Sequence, residues 1–306
     1  MSEYLSVILT IITAATPLLL AATGELVVER SGILNLGIEG MMSVGAIAAF
    51  AVAFTTGSPY LGIIAAIAAG VALSMVFAFL TLTMVANQVA TGLALTLLGL
   101  GLSAMAGIKF VGQPGVQLEK VHIPLLSDVP VIGPIVFGQD VLVYFSFALV
   151  AATAYVLTRT RLGLVIRAVG GNHTSAHALG FGVNRVRLAC IAFGGACAGL
   201  GGGYLSLAYT PLWIETMTAG RGWIALALVV FGSWLPWRVA LGAYLFGTVS
   251  ILGFALQSKG AGIPSQFLSS LPYLVTIAAL VVISGRSLSA RSNAPACLGQ
   301  SFVPDR

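Results

Sequence analysis

Charge is what this 306-residue sequence has least of: Asp, Glu, Lys and Arg make up 8% of it, against roughly 25% in an ordinary soluble domain. With 58% hydrophobic residues and a mean hydropathy of +1.03, that scarcity excludes a water-soluble globule. The apolar content also excludes an intrinsically disordered chain, and the 37 glycines follow no G-x-y period, which excludes collagen. Cysteine is scarce too. Cys190 and Cys197 fall in one predicted helix and Cys297 lies in the tail, so neither a disulfide framework nor a zinc pattern can be built. All three read as packing residues.

Lysine occurs only at positions 109, 120 and 259, after Ile108, Glu119 and Ser258. None follows a glycine, so the phosphate-cradling G-x-x-x-x-G-K-[ST] loop is absent. There is no G-x-S-x-G elbow and no H-E-x-x-H. The G-x-G-x-x-A match at Gly99, Gly101 and Ala104 lies inside an apolar run with no strand before it, unlike a dinucleotide fingerprint. His173 and His177, four apart, have no carboxylate or Cys nearby to complete a metal site; they read as solvated surface residues.

What remains is long charge-free runs. An ionised side chain at the bilayer centre costs at least roughly 2.5–3.5 kcal/mol, so each gap is a candidate span. There are 21 such residues between Glu3 and Glu25, 69 between Glu39 and Lys109, and 27 between Arg187 and Glu215. The fold class is all-α, a polytopic transmembrane helix bundle forming one domain over 1–306. About nine spans are expected, near 5–23, 38–55, 60–83, 88–108, 141–158, 188–210, 223–234, 239–256 and 268–284. The first lacks a basic region before it and runs past 20 residues, which suits an anchor better than a cleaved signal.

The net charge of +5 is clustered. Arg159, Arg161, Arg167, Arg185 and Arg187 share one loop with no acid among them, and Arg286, Arg291 and Arg306 lie in the tail. The positive-inside rule puts both segments in the cytoplasm, and the pattern does not suggest nucleic acid. Counting back places the N-terminus and the 109–140 loop outside, the latter irregular or a short surface helix.

Two segments interrupt the apolar pattern. Residues 25–42 (ELVVERSGILNLGIEGMM) set Glu25, Glu29, Arg30, Asn35 and Glu39 among Leu, Ile and Val. Glu29 and Arg30 are expected to pair with each other or to sit at the interface. Residues 215–232 (ETMTAGRGWIALALVVFG) follow Gly-Arg-Gly with an apolar run too short to span comfortably. Interrupted segments in the two halves of a chain mark discontinuous helices at a transporter's binding site, and an inverted repeat is expected, although no residue identity between halves accompanies it. Past Glu39, no ionisable residue falls well inside a predicted span, which weighs against ion coupling. Gly195, Gly199 and Gly203 recur every four residues, a stripe that lets helices approach closely. The 159–187 loop contains a short helical pattern, with Asn172 or Thr174 as N-cap, Ala176 and Leu179 within it and Gly180 at the end. Such an element suits docking of a soluble partner.

The stretches ERSGILNLGIEGMMSVGA (29–46), NQVATGLALTLLGLGL (87–102), RAVGGNHTSAHALGFGVNRVRLACIAFGGACAGLGGGYLSL (167–207) and GRGWIALALVVFGSWLPWRVALGAYLFG (220–247) resemble the permease subunits of bacterial ABC importers. The likeness is to the nucleoside and simple-sugar branch, related to ribose and branched-chain amino-acid permeases, and covers nearly the whole chain. It implies no cofactor in this chain, with ATP and Mg²⁺ bound by a partner ATPase. It also implies a second, homologous permease chain forming a heterodimer, an extracytoplasmic substrate-binding lipoprotein and residence in the inner membrane. By that resemblance 170–180 is the coupling helix, with Arg167, Gly170, Asn172, Ala176, Leu179 and Gly180 facing the ATPase. Two positions depart from the family: Gly171-Asn172-His173 stands for a Glu-Asn-Pro-like triplet, and Thr96 for Asn. Asn35, Glu39, Gln88, Thr91, Thr96 and Arg221 are the residues expected along the pathway; the alternative for Asn35 and Glu39 is that they only satisfy a helix break.

Overall fold

The computed structural model describes residues 2–121, 133–258, 264, 267–268, 270–275, 277–278 and 293–303. It is helical nearly throughout: α1 (Ser2–Arg30), α2 (Ile38–Thr56), α3 (Pro59–Ala78), α4 (Gln88–Gly107), α5 (Val141–Arg159), α6 (Arg161–Gly171), α7 (His173–Ala178), α8 (Val183–Tyr204), α9 (Arg221–Phe231) and α10 (Pro236–Ser258). Seven of these, extended in places by π-turns such as Leu205–Tyr209, are long and apolar enough to cross a membrane. The expected span at 223–234 is the 11-residue α9, short of the roughly 20 residues a bilayer needs. Of the one expected at 268–284, residues 269, 276 and 279–284 lie outside the described residues.

Helix ends follow local chemistry. Gly57, at φ +72°, stops α2, and Pro59 starts α3 where its missing N–H costs nothing. The Asn87 side chain caps α4 through Ala90 N, and Asp140 caps α5 by accepting from Leu142 N and Val143 N. The second Asp140 oxygen accepts from the Tyr204 hydroxyl at 3.0 Å, and burial raises its carboxyl pKa. The described part of the 109–140 loop is irregular, with short helical turns at Ile108–Phe110 and Gly133–Phe137 and non-helical backbone over 113–121. Gly115 and Leu118 donate to Pro211 O and Leu207 O, folding it over the end of α8.

α8 is the central helix, and its glycines are the reason. A side chain at Gly195 would strike Ser74, one at Gly199 the Ala66 carbonyl, and one at Gly203 would come within 2.7 Å of Ala66 Cβ, all on α3. On other sides of α8, Gly202 abuts Met42 O of α2, Gly194 abuts Val28 of α1, and a Cβ at Gly201 would lie 2.8 Å from Pro17 O. In hydrocarbon no hydrophobic force drives helices together, so this close backbone approach supplies the van der Waals contact that does. Cys190 and Cys197 are free and buried here, as packing residues are. Past Glu39, the charged residues within the described spans lie near the span ends; Arg187, in the second turn of α8, is fully buried there.

Candidate functional site

Both interruptions are real breaks. Between α1 and α2 the chain leaves the helix at 31–37, and before α9 it makes turns over 215–220 with Thr216 at φ +60° and Ala219 at φ +46°. Non-glycine residues in that region cost about 1–3 kcal/mol each, so something must hold them. The holder is Glu39, in the first turn of α2. Its Oε1 accepts from Thr218 Oγ1 at 2.6 Å and Gly220 N at 2.8 Å, and its Oε2 accepts from Gly222 N at 2.6 Å. A carboxylate at a helix N-terminus meets unpaired N–H groups and the positive end of the helix dipole. Gly222 must be glycine, because a Cβ there would sit 2.5 Å from Glu39 Cα.

The other end of α9 is tied to the other side of the same break. Trp234 Nε1 donates to Glu29 Oε2 at 2.6 Å, and Arg30 donates through Nε and Nη2 to Trp234 O at 3.1 and 2.7 Å. Glu29 and Arg30 therefore direct these bonds to the α9–α10 turn rather than to each other. The short helix of the second half is bracketed by charged groups flanking the break of the first half.

α4 clasps the 31–37 segment. Gln88 Oε1 accepts from Leu34 N at 2.9 Å, Thr96 Oγ1 donates to Leu36 O at 2.8 Å, and Asn35 Oδ1 accepts from Gly37 N at 2.9 Å. Glu25 Oε1 accepts from Asn35 N at 3.4 Å. Gly92 and Gly99 allow this approach: a Cβ at Gly92 would lie 2.7 Å from Leu36 N, and one at Gly99 2.6 Å from Gly40 Cα. The structure thus gathers Asn35, Glu39, Gln88 and Thr96 around one break, all buried, with Thr91 on the same buried side of α4.

Arg221 stands apart. Its Nη1 donates to Met217 O at 3.0 Å, its guanidinium lies 5.6 Å from the Tyr209 ring centroid, and it borders a cavity of about 260 Å³. Tyr209, Tyr273, Ser250 and Gln257 share that lining, among apolar residues of α1, α9 and α10. Sequence reasoning missed Tyr209, Ser250 and Gln257, which look like ordinary span residues one at a time.

At the α7 end, Asn172 Oδ1 caps α7 through Ser175 N at 2.9 Å, and Gly180 at φ +89° closes it with its N–H on His177 O. Ala176 faces inward, whereas Leu179 is 75% exposed. Arg167 lies exposed on α6, and Gly170 abuts the Arg30 carbonyl. The histidines are more engaged than expected: the rings of His173 and His177 both stack edge-on against Phe302, at 5.2 and 5.3 Å. Partial burial, and then the Arg187 guanidinium, lower the His173 pKa. No group of three metal-ligating side chains occurs among the described residues.

Broken helices clasped around buried polar groups, with a capped amphipathic helix at one end, define a membrane-embedded transport subunit. The particular family follows from comparison. Residues 7–283 match the family described as branched-chain amino acid transport system / permease component, and the chain belongs to it. It is 40% identical, over 95% of both chains, to a Haloferax volcanii protein assigned as the glucose ABC transporter permease TsgC13. It is 34% identical to the guanosine ABC transporter permease protein NupQ of Bacillus subtilis, over 94% of this chain and 96% of that one. It is 32% identical to the nucleoside ABC transporter permease protein NupC of Lactococcus lactis, over 91% and 92%. The fold resembles a solved inward-facing structure of a metal-chelate type ABC transporter, with a TM-score of 0.54 at 19% identity over 92% of this chain and 85% of that one. The protein is a multi-pass permease subunit of an ABC transporter, a membrane component rather than an enzyme.

Proposed function

We propose that this permease imports nucleosides or related ribosides by alternating access, powered by a separate cytoplasmic ATPase. The observation that carries the solute class is the cavity beside α9, which offers two tyrosine rings, an amide, a hydroxyl and one guanidinium. A nucleoside brings a stacking base and many hydrogen-bond groups but no charge, which matches that lining. The guanosine and nucleoside permeases among the relatives support the reading. A hexose is the second reading, favoured by the glucose-assigned relative at 40% identity. Arg221 lines the pathway, whereas Asn35, Glu39, Gln88, Thr91 and Thr96 hold the broken helices that shift around it.

In this reading the chain lies in the inner membrane with a homologous permease as heterodimer partner, an ATPase carrying both nucleotide sites at the α7 end and a solute-binding lipoprotein at the other. The C-terminus and the 159–187 loop then face the cytoplasm. Lacking a P-loop, the chain receives work mechanically. Vesicles holding the assembled complex should take up guanosine in preference to glucose, only with ATP; preference for glucose overturns the solute, and uptake by this chain alone on an ion gradient overturns the mechanism. Replacing 172–180 with a Gly/Ser linker should abolish co-purification of the ATPase while the bundle still inserts.

A further inference from the structure

α7 is a short lever hinged at both ends, by extended Asn172 and by the Gly180–Gly182 turn. What joins it to the broken helices is the tail 293–303. Phe302 wedges against the rings of His173 and His177 and shares a buried apolar cluster with Val169, Ala176 and Val183. Cys297 N donates to Gly170 O at 2.9 Å, and Gly299 N donates to Gly32 O at 3.1 Å, which ties the tail to the end of α6 and to the first break. Two arginines then fix it. Arg187 donates through Nε to Ser31 O at 3.2 Å and through Nη1 to Gln300 O at 3.1 Å, and its Nη2 lies 3.5 Å from His173 Nδ1. Arg30 reaches the tail at Asn293 O, 2.8 Å away, with the same guanidinium that holds Trp234 O.

A fully buried guanidinium is expensive unless its donors are met, and Arg187 meets them on three elements: the break, the tail and α7. We infer that the tail is a strap, with Arg187 as its positioning residue, that carries displacement of α7 into the α1–α2 break and on to the α9–α10 turn. Packed chains of this kind transmit only where they meet an element with two arrangements, and we assign that role to α9 and the 31–37 break. The inference rests on the ABC-permease reading of α7 as the ATPase contact.

The test uses the whole complex in vesicles, measuring ATP hydrolysis and uptake of radiolabelled guanosine, or of glucose where the wild type prefers it. Truncation after Ser292 should leave ATPase association and hydrolysis near wild type but lower solute moved per ATP by about ten-fold, the size of an ordinary allosteric coupling. Phe302→Ala, which shortens one buried side chain beneath α7, should lower the same ratio by several-fold and keeps the test alive if the truncated chain does not insert. Arg187→Lys should retain part of the ratio that Arg187→Met loses. Wild-type vesicles without ATP-dependent uptake would overturn the permease reading. Active wild-type vesicles, with Phe302→Ala and Arg187→Met moving solute at the wild-type ratio, would overturn the strap.

Discussion

Replacing Glu39 with Ala should cost roughly 2–6 kcal/mol, because two buried donors lose their acceptor at about 1–3 kcal/mol each and a third, half-buried donor loses it as well. The donors are Thr218 Oγ1, Gly220 N and Gly222 N. The loss would also loosen the left-handed turns at Thr216 and Ala219, which the Glu39 contacts help to hold. Thermal unfolding in detergent should show a large drop in Tm. Glu39→Gln, which keeps one carbonyl oxygen but turns an NH₂ toward a donor, should fall between. The outcome separates two roles for this residue. If Glu39 carried a coupling proton, Glu39→Gln would change ion dependence at unchanged stability; as the cap of α9, it changes stability and leaves transport tied to ATP.

Gly199→Leu should yield little or no monodisperse protein. The site sits where three helices meet: the Cβ alone would overlap Ala66 O and lie 3.0 Å from Gly70 Cα, while Gly45 approaches Gly199 from α2. Relief requires moving α3 or α2 away from α8, which forfeits contact along whole helices. Gly101→Leu is the matched control, since on exposed α4 its Cβ would meet nothing within 4 Å. Size-exclusion profiles of the two variants should differ sharply; equal, wild-type-like profiles would remove the α8 stripe as the organising contact.

The two breaks were legible because their signal is local: charge and glycine set inside apolar runs. The Asn172 cap and the Gly180 stop were legible for the same reason, being short-range turn chemistry. The meeting of the breaks was not, since Glu39 and Gly220 are 181 residues apart and nothing in either segment names the other. The glycine stripe announced a close contact but not its partners on α3, α2 and α1. The tail escaped because its arginines read as topology signals, although Cys297, Leu298 and Phe302 amid polar residues hinted at a packed segment. Single span residues such as Tyr209 and Gln257 gain meaning only from the cavity they share.

The long reach of the Glu39 contact has a consequence for biogenesis. At about 5–20 residues per second, a ribosome needs roughly 10–40 s to make the chain from residue 39 to residue 220. Throughout that interval the carboxylate lacks the donors that finally hydrogen-bond it, so the earliest hairpin enters the bilayer unfinished. Nascent chains interrupted before Thr218 should therefore be recognised as orphans and degraded.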